Sequence, residues 1–263
     1  MSADTDVTSP TGATTETGGG YPVDRALETV PGEMSPATLV FWLVLVALGA
    51  AGFAMAVGEA PERAWSTVWA NFLLWTALAQ AGVMFGAVLH AAKGHWGKPF
   101  RRVAEGMGSF LPVSFLVLLA LLTFGAPHVF PWLGPVEGHV NREWLTLSGV
   151  FWRNAVMVAL LYGLSLWWLR VSLRPDAPEV ARELSGWRQS LVAWIGRNWR
   201  GDEEEIGRAR ETLGRLAPAL VLAWVTVFTL LSFDLIMSLI PGFLSVVWGP
   251  YYFIGGWLSM LAL

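Results

Sequence analysis

WANFLLWTALAQAGVMFGAVLHA, residues Trp69–Ala91, runs for 23 positions without one Asp, Glu, Lys or Arg. At 1.5 Å per residue such a helix covers the ~30 Å hydrocarbon core of a bilayer. Five further apolar runs resemble it: Thr38–Val57, Ser109–Trp132, Leu147–Val171, Leu216–Leu239 and Ser245–Leu263. In lipid each backbone N–H and C=O must be satisfied within the segment, so these runs are expected to be helices. The fold expected is all-α, a polytopic bundle of six transmembrane spans. The sixth run reaches the last residue, Leu263, without a polar flank, which suggests a piece of a longer protein.

Composition supports that class: 54% of residues are hydrophobic and only 14% charged. The absence of cysteine excludes disulfides, thiolate metal sites, iron–sulfur clusters and covalently attached haem within the chain. Residues 1–36, rich in Ser, Thr and Gly, read as a disordered polar tail. The tail is acidic, which argues against a nucleic-acid-binding arm, and it lacks the basic start and cleavage site of a signal peptide. Four units follow along the chain: the tail, spans one to four over 37–172, a polar connection over 173–215, and spans five and six over 216–263.

Charge sets the expected orientation. Lys93, Lys98, Arg101 and Arg102 crowd the second connection, and nine arginines lie between Arg170 and Arg215. Cytoplasmic loops collect Lys and Arg, so both connections and the N-terminus are expected inside. Among the 16 tryptophans, Trp65, Trp69, Trp132, Trp144, Trp152 and Trp248 would mark the outer interface. Trp96, Trp167 and Trp168 would mark the inner one, while Trp42, Trp75, Trp224 and Trp257 fall within spans as core filler. In the long connection, Val180, Leu184, Trp187, Leu191, Trp194 and Ile195 recur at three- and four-residue spacing. This predicts an interfacial amphipathic helix over Glu179–Trp199, lying on the inner leaflet or on a partner subunit. The acidic run Asp202–Glu205 predicts a second, polar helix.

Polar residues inside spans are costly and need partners. Ala79, Gly82, Gly86 and His90 share one helical face, a small-residue stripe suited to close helix packing. Asn71 and Gln80 fall on opposite faces and would bond neighbouring helices. His128 ends span three, Arg153 and Asn154 begin span four, and Asp234 comes late in span five. The four converge on one membrane depth, at the expected outer side. A carboxylate beside an arginine stays ionised and a histidine titrates near neutrality, so the set is a candidate proton or quinol site. The alternative is an ion pair that only ties helices together. His90 and His128 lie at opposite membrane faces, and His95 and His139 in polar loops, so no haem b and no other cofactor is expected on this chain alone. No metal site is expected either.

Three phrases carry a resemblance: HAAKGHWGKPFRRVAEGMGSFLPV at His90–Val113, FDLIMSL at Phe233–Leu239, and WGPYYFIGGW at Trp248–Trp257. Over roughly Leu73–Leu263 the chain resembles the F-type integral membrane subunit of bacterial alternative complex III, within the wider polysulfide-reductase membrane-subunit family. The resemblance implies a subunit of a quinol:electron-acceptor oxidoreductase of the bacterial inner membrane. Its partners there would be other membrane subunits together with iron–sulfur and haem c subunits, which carry the redox centres. Quinol would bind at the level of the complex, and this subunit would support assembly or proton movement. Family members are longer, with about ten spans arranged as two four-helix bundles with flanking helices. A secondary transporter remains open as an alternative, for which Pro112, Pro218 and the Ile240–Pro241–Gly242 break are its only signs. An intramembrane enzyme would need a paired catalytic set, which the sequence does not display.

Overall fold

In the computed structural model residues 35–94, 97–135 and 141–263 are described, and among them every regular element is helical. The polar tail up to residue 34, with His95, Trp96 and His139, lies outside the described residues. The first helix, α1, spans Pro36–Glu59, starting where the Ser35 hydroxyl accepts the Thr38 N–H at 3.2 Å. After a turn at Ala60, α2 runs over Pro61–Ala91. A short α3, Lys98–Gly106, leads through a 3₁₀ turn into α4, Leu111–Ala120, then a π-turn and α5, Ala126–Val129. The π-turn at Leu121–Gly125 falls where Pro127 lacks the N–H that would bond back to Thr123.

Thr146 caps α6, Leu147–Leu173, by accepting the Gly149 N–H. Two short helices follow, α7 at Ala177–Glu183 and α8 at Gly186–Ile195. Asp202 then caps α9, Glu203–Leu235, and Trp248–Leu261 forms α10. Among the described residues five helical segments are long and apolar enough to cross a membrane: Pro36–Glu59, Pro61–Ala91, Phe100–Val129, Leu147–Leu173 and Glu203–Leu239. The sixth expected span forms a helix of 14 residues. At 1.5 Å per residue that is ~21 Å, short of the hydrocarbon thickness.

The bundle is built around α2. Its apolar window is 78% buried, against none of α1's. It packs against α1, α3, α4, α6, α9 and α10. The stripe explains the closeness: a Cβ on Gly82 would stand 2.4 Å from the Ala104 carbonyl oxygen. Gly82 and Gly86 thus face Ala104, Glu105 and Met107, at the start of the Phe100–Val129 segment. α1 meets only α2 at any length and exposes Leu39–Val46 and Met55, the surface of a helix solvated by lipid.

Two expectations change in the long connection. The single amphipathic helix is broken at Leu184 and Ser185, which are extended, and Gly186 adopts φ +63°. The polar helix from the acidic run is continuous with span five, through Pro218, as the 33 residues of α9. The tryptophans also redistribute. Trp69, Trp132 and Trp168 are buried, whereas Trp42 and Trp75 are exposed on the outside of the bundle. Apolar surroundings on both sides of a lipid-facing helix make hydropathy blind to that distinction.

Candidate functional site

Asp234 lies one position before the end of α9, fully buried. Arg153, two turns into α6, donates from Nε to Oδ2 and from Nη2 to Oδ1, both at 2.8 Å, a bidentate ion pair. Asn154 Nδ2 donates to Oδ2 and Trp144 Nε1 to Oδ1, each at 2.8 Å. Each carboxylate oxygen thus accepts two hydrogen bonds, which fills the four lone-pair sites of an ionised carboxylate. Trp144 comes from the turn before α6, and the guanidinium lies over its ring, 4.0 Å from centroid to Cζ. The cage therefore joins α9, α6 and the preceding loop, with the arginine shielded by an aromatic face.

Three of the four candidate residues meet here. The fourth, His128, is exposed and forms no hydrogen bond or ion pair with them among the described residues. The π-turn just before it explains the difference, because the extra residue in that turn rotates the face on which a following side chain emerges. Asn154 also leaves an unsatisfied atom: its Oδ1 is buried without a partner. Trp144 was expected as an interface marker, and no spacing in the sequence signals its reach back to Asp234.

A second buried carboxylate, Glu105, sits at the other end of the bundle. Its Oε1 takes the Arg101 Nε at 3.1 Å and the Ser172 hydroxyl at 2.7 Å, and its Oε2 takes Arg102 Nη1 at 2.6 Å. Arg102 reaches on to Asp176 at 2.6 Å, beyond the end of α6. Gly86 makes the seat: a Cβ there would stand 2.9 Å from Glu105 Oε1. The Arg101–Arg102–Glu105 spacing, facing a glycine stripe, is the sequence signal for this network. Along α6, Ser172 is 19 residues past Arg153, roughly 28 Å of helix, so the two carboxylates lie about a bilayer core apart.

Between them the interior holds a polar layer. Gln80 Nε2 donates to Ser165 Oγ at 2.8 Å, and Thr76, Ser114 and Tyr162 hydroxyls are linked at 2.6 and 2.9 Å. Gln80 therefore bonds a neighbouring helix as expected, whereas Asn71 bonds Thr67 O in its own helix at 2.9 Å. His90 ends α2 with its ring edge-on to Trp168, 5.7 Å between centroids. His90 and His128 fall at opposite ends of the bundle. No protein-family model matches the chain, and no curated protein matches it.

Proposed function

We propose that the chain is an integral membrane subunit of a quinol-oxidising electron-transfer complex of the alternative complex III type, in a bacterial inner membrane. It carries no redox centre; its iron–sulfur and haem c partners do. Its N-terminus is cytoplasmic, the arginine-rich end of the bundle faces inward, and the last helix belongs to a sixth membrane segment. The observation that carries this reading is the burial of Glu105 and Asp234, one in each of two phrases of the resemblance. Each is clamped by arginine at opposite ends of a helical frame whose middle is lined with linked hydroxyls and an amide. Buried charge on a membrane protein marks a function or a tie between helices, and this pair does both: the clamps hold the frame, and the hydroxyl layer offers proton relay between them.

The test is purification of the tagged protein from its native membranes in mild detergent. Co-purifying haem c absorption, iron–sulfur signals and quinol-driven reduction of an electron acceptor are expected. Recovery of the protein alone, with quinol oxidation unchanged in membranes that lack it, would sink the proposal.

A further inference from the structure

Beside the Glu105 network opens a cavity of about 830 Å³, within the range of small-ligand sites. Lys93, Arg101, Arg102 and Arg210 line it, with His90, and among the described residues no acidic one does. Two of these cations are committed: Arg101 and Arg102 neutralise Glu105, and Arg102 also meets Asp176. Lys93 and Arg210 form no ion pair among the described residues and are exposed. The cavity thus carries a surplus of two positive charges, supplied from two different elements. Lys93 is held there by a backbone in the left-handed region, φ +53°, just past α2.

Apart from Ser172, the remaining walls are apolar or glycine. Leu89, Val171 and Leu213 come from the ends of α2 and α6 and from α9 just before its apolar stretch begins, and Trp199 lines it as well. A site that sets exposed cations beside aliphatic walls matches a molecule with an anionic head and an apolar body. We infer that this cavity binds a phosphate-bearing headgroup, with Lys93 and Arg210 as its counter-charges. The volume exceeds what a bare phosphate ion fills, and the position at the helix ends is headgroup depth. The site is independent of which complex the chain serves.

Isothermal titration of the full chain in detergent micelles tests this, using short-chain phosphatidylglycerol, the matched phosphatidylcholine, and inorganic phosphate. Saturable binding of phosphatidylglycerol in preference to phosphatidylcholine is expected. The double variant Lys93→Gln/Arg210→Gln should bind it roughly thirty-fold more weakly, and each single variant roughly five-fold, the loss carried by one and two basic side chains near a membrane surface. The singles keep the test decisive if the double variant fails to fold. Arg182→Gln/Arg200→Gln removes equal charge from the connection that holds Arg210 and should leave affinity within about threefold. Displacement of phosphatidylglycerol by inorganic phosphate would support a site for the phosphate group itself, and failure to displace it a site for the whole lipid headgroup. Equal binding of both lipids, or an equal loss in the control pair, would overturn the inference.

Discussion

Gly86 carries no side chain because Glu105 Oε1 occupies the space where one would begin, 2.9 Å from an ideal Cβ. Gly86→Ala must push a fully buried, arginine-bound carboxylate off its partners, while Gly82→Ala meets the Ala104 backbone oxygen at 2.4 Å, which has less freedom to yield. Overpacking of this kind costs ~1–3 kcal/mol, so both variants should lower the thermal unfolding midpoint in detergent, Gly82→Ala more. An unchanged midpoint for Gly82→Ala would mean that α3 can lift away from α2 freely. Gly58, with open space around it, serves as the control: Gly58→Ala should be neutral or slightly stabilising. At this scale the glycine stripe was legible from three- and four-residue spacing. Its partner was not, because periodicity within α2 does not say which neighbour's backbone and carboxylate will come to lie against it.

Between elements, the Asp234 cage is the tie that the sequence reveals most directly. Helix direction and register place Arg153, Asn154 and Asp234 at one depth before any coordinates are known, since α6 and α9 run opposite ways at a fixed 1.5 Å per residue. Trp144 and His128 escape that reasoning, the first because it sits in a turn, the second because a π-turn resets its rotation. With all four acceptor positions filled, Asp234→Asn would leave the guanidinium unpaired, and breaking a buried pair costs ~3–5 kcal/mol. The expected outcome is loss of folded protein in membranes. Replacing both members, Arg153→Met with Asp234→Leu, removes the stranded charge and should restore folding, as apolar packing substitutes for buried ion pairs. Quinol-driven turnover of the rescued complex then separates tie from proton site: full activity denies Asp234 any role in proton movement. The split amphipathic segment belongs to this scale too. Trp187, Leu191 and Trp194 are exposed along α8 at four- and three-residue spacing, while Arg170 lies 4.3 Å over the Trp194 ring. If that face meets lipid, brominated phospholipid should quench the fluorescence of wild type more than that of Trp187→Phe/Trp194→Phe. Equal quenching would assign the face to water or to protein.

For the molecule as a whole, hydropathy located five helices able to cross a membrane and located the segment of the sixth, but it could not set lengths. α9 extends 13 residues before Leu216 because the Asp202 cap and helix-forming Glu and Arg residues carry it past the apolar run. The segment after residue 244 is helical only over Trp248–Leu261, shorter at both ends than its apolar run. Orientation rests on different physics. The arginine-rich end gathers Arg101, Arg102 and Arg174 around buried and surface carboxylates, with Lys93 and Arg210 lining the cavity. Basic residues kept on one side of short connections resist translocation, whatever ion pairs they form after folding. The expected topology therefore puts Gln189 in the cytoplasm and Glu143 on the far side, both at exposed positions. The chain has no cysteine to interfere. Gln189→Cys should react with a membrane-impermeant maleimide only after the cells are opened, and Glu143→Cys in intact cells. Reversed labelling would turn the bundle over, placing the Asp234 cage inside and the basic cavity outside. The fold and both buried networks would stand, but the cytoplasmic N-terminus would fall. Neither cysteine lies in a buried network, so a change in labelling reports orientation and not a damaged core.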